Sequence, residues 1–297
     1  MKKRLGDRMF NFFNISIFLV IGFMTFYPFW NILITSFNDP VDSTRGNLYF
    51  WPRMFSTISY SAIFTARTDF FQGAIISLAR TAVGTSLTLF CTTLLAFIVS
   101  DKKFVLRKFL TRVFILTMYL NAGLIPIFIL YRDIGLLNKF PVYILPTLIG
   151  AYYLILLKSF IEDIPASLTE AAEMDGAGLF KVFFSIIIPM AIPVIATVGL
   201  YAAVWQWSQW QDTYFFASRN RSLTTLQYEM VKIIRHSMSD ISEQQIRSMS
   251  TESNAVRTTP QSIQNAIIMV VTLPILAVYP FIQKYFVKGM TLGAVKE

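Results

Sequence analysis

Residues 164–178 read Ile164-Pro165-Ala166-Ser167-Leu168-Thr169-Glu170-Ala171-Ala172-Glu173-Met174-Asp175-Gly176-Ala177-Gly178. Ser167 followed three positions later by Glu170 has the spacing of a capping box. Pro165 stands just before that start, and Gly176 can take the left-handed conformation that ends a helix. The pattern predicts a short helix, Leu168–Asp175, written between two stop signals, with a second helix starting near Leu179. So short a helix is unstable alone in water, so it must pack against something. Ala171 and Ala172 are small enough for another protein's backbone to approach closely. Packing on the chain's own body would explain them equally well, and the pattern alone leaves both readings open.

Outward from this loop the chain is mostly apolar. Of 297 residues 55% are hydrophobic and only 14% charged, with mean hydropathy +0.54. Soluble domains carry about 25% charged residues, so the composition argues against a soluble globular enzyme. A membrane-crossing helix needs about 20 apolar residues. Six stretches qualify: Ile15–Phe37, Gly73–Ser100, Val113–Tyr131, Phe140–Leu157, Phe183–Trp205 and Ile263–Val287. The fourth is short and suffices if Lys158 snorkels to the interface. Prolines 126, 146, 189, 193, 274 and 280 lie in or beside these stretches, which membrane helices tolerate when the freed carbonyls find other donors. The first stretch follows Met1-Lys2-Lys3-Arg4, as in a signal peptide. It is too long for that role and no small-x-small cleavage site follows it, so a retained helix is expected. The expected organisation is a tail (1–14), a first helix (15–37), a loop (38–72), a core (73–287) containing loops 158–182 and 208–262, and a tail (288–297).

The net charge of +9 orients the chain. The placement of charges between apolar blocks argues against nucleic-acid binding. Lys2, Lys3, Arg4 and Arg8 precede the first span. Lys102, Lys103, Arg107, Lys108 and Arg112 follow the second, and Lys284, Lys288 and Lys296 lie at the carboxyl end. The positive-inside rule puts both termini in the cytoplasm and loops 38–72 and 208–262 outside. Loop 158–182 then faces inward, yet it holds Glu162, Asp163, Glu170, Glu173 and Asp175. An acidic inward loop breaks the pattern and points to a local task. Residues 236–260 are polar and Ser-rich, the expected mobile stretch.

Glu170-Ala171-Ala172, then Gly176, then Ile186 and Ile188-Pro189 resemble the EAA loop of binding-protein-dependent ABC importer permeases, EAA-x3-G-x9-I-x-LP, with Ile188 in place of Leu. Asp175-Gly176-Ala177 is similar to the carbohydrate-type, maltose-permease-like version. Gly123-Leu124-Ile125-Pro126, Gly135-Leu136-Leu137-Asn138, Trp207 with Trp210, Tyr279 to Phe286 and Gly293 to Lys296 resemble the branch that imports complex oligosaccharides. The resemblance implies an all-α integral membrane protein of the type I ABC importer permease fold, with six transmembrane helices in a bacterial cytoplasmic membrane. It implies four kinds of partner: a second homologous permease, two cytosolic ATPase subunits, a solute-binding protein and the oligosaccharide it delivers. ATP and Mg2+ would be bound by the ATPases. This chain has no GxxxxGK[ST] loop and is expected to hold no cofactor, no metal and no catalytic residue. The short helix would be the coupling helix, with Glu170, Ala171, Ala172, Asp175 and Gly176 facing the ATPase. The tail Gly289–Glu297 would reach the same interface.

Sugars bind through aromatic faces and hydrogen bonds to hydroxyls. Trp205, Gln206, Trp207, Gln209, Trp210, Asp212 and Tyr214 cluster at the end of the fifth span, the best candidate for a channel mouth; the bland reading is an interfacial aromatic belt. Tyr119, Asn121, Tyr152 and Tyr153 are weaker path candidates. Arg80 lies inside the second span, where a charge must find a partner, snorkel or face water; pairing or snorkelling is favoured over substrate contact. If the cargo were acidic, uronate-containing sugar such as alginate or pectin fragments, Arg80, Arg219, Arg221 and Arg235 could attract it. His236 and Cys91 are expected bystanders. A passive channel and a permease for another small solute are the rival readings.

Overall fold

The computed structural model describes residues 5–65, 69–235, 259 and 261–277; among them the chain is helical apart from one isolated bridge between Asn38 and Phe55. The segment 236–258, His236, the Tyr279 to Phe286 motif and the carboxyl tail lie outside the described residues. The chain divides into two compact units, Met1–Thr68 with Met230–Leu273, and Asp69–Glu229 with Pro274–Glu297.

The first unit is built on α1 (Leu5–Ser36), which starts ahead of the expected Ile15 because Met9, Phe10, Phe12 and Phe13 continue its apolar run. Met9–Ser36 is long and apolar enough to cross a membrane, and almost none of it is buried. Hydrophobic residues are exposed all round it, Phe12, Phe18, Leu19 and Met24 among them. Such a helix is soluble only in lipid or against other helices. The chain then turns through α2 (Pro40–Ser43), capped by Asp39 Oδ1 accepting from the Val41 and Asp42 amides, and passes to α3 (Ile58–Thr65). A polar clip closes this turn. Buried Asn38 donates to Asp42 Oδ2 (3.0 Å) and accepts from the Met54 amide (2.9 Å). Arg53 donates to Asp42 Oδ2 (2.9 Å) and to the carbonyls of Asp42 and Gly46 (3.0 and 2.9 Å). The Asn38 amide first, then Arg53, holds the Asp42 carboxyl below its ordinary value. A lowered carboxyl stabilises the fold above about pH 4 and loses that contribution as pH falls through the lowered value.

The second unit contains α4 (Phe70–Ser100), α5 (Arg107–Tyr119), α6 (Leu124–Asp133), two 3-10 turns (Phe140–Tyr143 and Leu145–Thr147), α7 (Ala151–Glu162), α8 (Ala166–Met174), α9 (Leu179–Val182), a π-helical turn (Phe183–Ile187), α10 (Ile188–Ser208) and α11 (Gln211–Phe216). Helix α4 packs along α10 and α7. Its buried face is small and polar: Gly73, Ser77, Arg80, Gly84, Thr88, Thr92 and Ala96 recur every three or four residues. Phe71, Ile75, Leu78, Val83, Leu87, Phe90 and Ile98 are its exposed large apolar residues. This is the arrangement of a membrane helix, where small residues let backbones approach and large apolar ones face lipid. The core joins Ala96 and Val99 of α4, Leu154, Leu157 and Ile161 of α7, and Phe183, Ile187, Ala191, Val194 and Val198.

Three helices of the described residues are long and apolar enough to span: Met9–Ser36, Phe70–Ser100 and Leu179–Ser208. Two expected spans are broken. The third, Val113–Tyr131, is interrupted between Tyr119 and Leu124, where Asn121 Oδ1 accepts from the Gly123 amide (2.9 Å) and Gly123 has φ +81°. The fourth, Phe140–Leu157, is bent by 47° between Thr147 and Ala151. Pro141 and Pro146 cannot donate to a helix ladder, so this stretch winds as 3-10 turns before α7 begins. Of the expected sixth span Ile263–Val287, residues 263–277 lie in the helix Gln261–Ala277, and Asn265 Nδ2 in it donates to Thr35 Oγ1 (2.8 Å).

Candidate functional site: an exposed short helix and a buried arginine

Helix α8 starts two residues before the reading of a Ser167 cap would put it. Pro165 occupies the cap position, with no side-chain cap bond. Its carbonyl accepts from the Leu168 amide (3.2 Å), and its fixed φ suits a helix start. Ser167 and Glu170 are thus not spent on each other. At the other end the Asp175 amide donates to Ala171 O, Gly176 to Glu173 O and Ala177 to Ala172 O, at 3.0, 3.0 and 2.9 Å. Gly176 has φ +78°, the reversal expected there.

One face of α8 packs on the chain's own core: Ala172 touches it, as do Ile164 and Ala177 on either side. The other face is outside, with Glu170, Ala171 and Asp175 exposed. Beside them stand bare apolar groups: Met174 is 88% exposed, Phe180 74% and Leu179 61%. Packing on the chain's own body, one of the two readings the sequence left open, holds for the Ala172 face, while the Ala171 face stands exposed.

The acidity of this loop has a local cause. Lys103 donates to Glu173 (3.1 Å), and Arg107 and Lys158 donate to Glu162 (2.6 and 2.9 Å). Basic groups after α4 thus pair with Glu173 and Glu162, leaving Glu170 and Asp175 exposed. Glu173 raises the Lys103 ammonium above its ordinary value. The Lys103–Glu173 pair is exposed and contributes little to stability, while the Arg107 and Lys158 pairs on Glu162 are mostly covered.

The second cluster centres on Arg80, which is fully buried. Its Nε donates to Gln206 Oε1 (2.7 Å), Nη1 to the Gln209 carbonyl (3.4 Å), and Nη2 to Asp212 Oδ2. The guanidinium lies over the Tyr143 ring, 4.7 Å from its centroid, and 5.9 Å from that of Trp205. The Tyr143 hydroxyl donates to Leu223 O (2.6 Å) and shares a hydrogen bond with Thr213 (3.1 Å). Gln206 Nε2 donates to Tyr143 O (3.3 Å) and Thr147 Oγ1 (3.2 Å). Pairing, the outcome favoured for Arg80, is what the structure contains. A charge this deep in an apolar bundle persists only with such a complete set of partners.

The path candidates fall into separate places. Gln206 and Trp207 are buried, and the Gln206 amide is committed to Arg80 and Tyr143. Trp205 is partly exposed, and Trp210 packs on Tyr214 at 6.2 Å. Gln209 contributes its carbonyl to Arg80. Tyr119 and Asn121 lie at the break before α6, with Tyr119 81% exposed and Asn121 capping its own turn. Tyr152 opens α7 beside Tyr153. The arginine draws together Trp205, Gln206, Gln209 and Asp212, but not Tyr119, Asn121 or Tyr152. Sequence reading missed Tyr143; its signal was a hydroxyl in the proline-punctuated stretch 140–147, which must find a partner when buried.

Gly84 makes room for this cluster. A Cβ there would stand 2.7 Å from Gln206 Nε2 and 2.8 Å from its Cδ. Gly84→Ala is expected to push the amide off Arg80 and Tyr143 O and to destabilise the protein by about 1–3 kcal/mol, the cost of leaving buried polar groups unpaired. A thermal unfolding midpoint unchanged from wild type would refute this.

The sequence signature of the binding-protein-dependent transport system inner membrane component matches residues 89–291. The chain belongs to that family. This permease is 33% identical over 98% of its length to the whole of the polygalacturonan/rhamnogalacturonan transport system permease protein YtcP of Bacillus subtilis. It is 24% identical over 93% of its length to 94% of the melibiose/raffinose/stachyose import permease protein MelC of the same organism. Among solved structures, it resembles a chain of a bacterial ABC transporter involved in the import of the acidic polysaccharide alginate. The TM-score is 0.82 with 24% identity, covering 96% of the permease and 99% of that chain, which establishes the fold. As a family member the permease is a membrane-spanning, non-catalytic transport subunit.

Proposed function

We propose that this chain is one permease half of an ATP-driven importer for oligosaccharides, including acidic, uronate-containing ones. It crosses a bacterial cytoplasmic membrane six times with both termini inside. It pairs with a second, homologous permease, two cytosolic ATPase subunits that bind ATP and Mg2+, and an external solute-binding protein that delivers the sugar. Helix α8 is the coupling helix, and Glu170, Ala171, Asp175 and Gly176 form its contact with an ATPase, with Ala172 setting its distance from the core. The observation that carries this reading is the two-faced α8, seated on the core by Ala172 while Glu170, Ala171 and Met174 stand exposed. Exposed apolar groups beside a polar rim are what a protein partner covers. A lever gripped at an exposed short helix can drive a rigid bundle between two arrangements. The acidic cargo is supported by the name of the relative YtcP.

The test is to assemble the permease with its candidate ATPases in vesicles and add solute-binding protein loaded with oligogalacturonate or with a neutral oligosaccharide. ATP hydrolysis is expected to rise with loaded binding protein and uptake to favour the acidic sugar. Sugar flux that continues without ATP would make the chain a passive channel and overturn the proposal.

A further inference from the structure

The turn after α1 carries an aromatic tip that the coupling mechanism does not use. Tyr49, Phe50, Trp51, Met54 and Phe55 are each between 54 and 76% exposed. The tip is nonetheless held in place. Asn31 Nδ2 donates to the Leu48 carbonyl (2.8 Å), and Trp30 Nε1 to the Phe50 carbonyl (3.2 Å). The Phe50 ring packs edge-on against Tyr27 (6.0 Å) and the Trp51 ring against Trp30 (6.2 Å). The Asn38, Asp42 and Arg53 clip closes the loop from behind.

These contacts mean that the loop folds back along the helix it has just left. Its partners Tyr27, Trp30 and Asn31 lie five to nine residues before Ser36, where α1 ends. At 1.5 Å per residue the tip therefore sits about 8–14 Å back from the end of α1. Met9–Ser36 is about 42 Å long, the thickness of a bilayer with its headgroups, so that distance reaches the boundary between headgroups and hydrocarbon. Backbone carbonyls entering that boundary must keep their hydrogen bonds. Those of Leu48 and Phe50 have donors from α1, and Pro52 has no amide hydrogen to satisfy. Trp and Tyr are the side chains that favour this depth.

We infer that residues 49–55 form an interfacial hook, inserted into the lipid leaflet at the carboxyl end of α1 and fixing the depth and tilt of that helix. The occupant of the aromatic surface is lipid. The surface is continuous with the exposed apolar stretch of α1, which runs from Met9 to Phe29 and includes Phe26 and Phe29 beside the tip's partners Tyr27 and Trp30. The hook requires that α1 span the membrane and is independent of which sugar is carried.

The experiment places a small environment-sensitive fluorophore on Trp51→Cys, and separately on Tyr49→Cys, both in a Cys91→Ser background. The carrier is the assembled importer in phosphatidylethanolamine/phosphatidylglycerol vesicles, and two labelled positions guard against one variant misfolding. Lipid brominated near the headgroup end of its acyl chains is expected to quench both probes, with iodide in the water quenching little. Strong iodide quenching without bromolipid quenching would put the tip in water and overturn the inference. Protection from both quenchers would mean that a protein subunit covers the tip, and overturns it equally.

Discussion

Gly176→Val is expected to separate ATP hydrolysis from sugar uptake while the protein still inserts. Gly176 has φ +78°, and a Cβ there would meet nothing within 4 Å. The cost of a side chain is therefore one of backbone conformation. A left-handed residue with a Cβ is disfavoured by about 1–2 kcal/mol, more for a branched one. The loop escapes this strain by moving, which tilts the exposed end of α8. If the docked shape costs 1–2 kcal/mol more to adopt, coupling falls by roughly 5- to 30-fold. Uptake in vesicles should drop by that factor while phosphate release persists. Gly176→Asn is the discriminating control, since Asn tolerates the left-handed region and should keep most of the coupling. Glu170→Lys should uncouple in the same way by reversing charge at the exposed face. Normal uptake in both Gly176→Val and Glu170→Lys would remove α8 from the coupling path.

Asp212→Ala should be the most damaging single change to stability. It takes the carboxylate from a guanidinium whose side chain is 0% exposed, while Asp212 itself is 22% exposed. Removing one partner of a buried pair costs about 3–5 kcal/mol, because the remaining charge stays buried. Gln206, the Gln209 carbonyl and the Tyr143 ring still contact Arg80, which puts the expected loss near the lower end, about 3 kcal/mol. Arg80→Met should cost less than this, since the partly exposed Asp212 can hydrate once its partner is gone. Combining Arg80→Met with Asp212→Ala should recover much of the loss, because neither charge is then stranded. Thermal unfolding of the four proteins in one membrane mimetic checks the cycle. Strict additivity of the two single losses would show that the pair does not act as a unit.

The division between what was legible in the sequence and what was not follows physical lines. Long apolar runs and the Gly176 reversal are local properties, and α1, α4, the span Leu179–Ser208 and α8 lie where those runs stand. The breaks at 120–123 and 147–151 were not legible from hydropathy. A window of apolar residues is blind to a single Asn121 turn or to two prolines that forbid the helix ladder. Arg80 could be assigned a need for partners from its position in a span. Naming them required three-dimensional contacts, because Gln206 and Asp212 lie more than 120 residues away. The acidity of loop 158–182 points to a local task, but the sequence does not say which. Part of the answer, Lys103 paired with Glu173 and Arg107 with Glu162, is a pairing between segments that no single stretch contains.

The wide turn at Phe183–Ile187 stands between α8 and the body of α10. Pro189 has no amide hydrogen for the Ser185 carbonyl, and its ring crowds that carbonyl, which favours the looser winding. Each residue advances a helix by about 100°, so one additional residue in that turn sets the azimuth of the exposed rod independently of the bundle behind it. The proline that closes the EAA pattern is thus a phasing element: where Gly176 decides that the chain turns back, Pro189 decides toward which compass bearing the rod is presented.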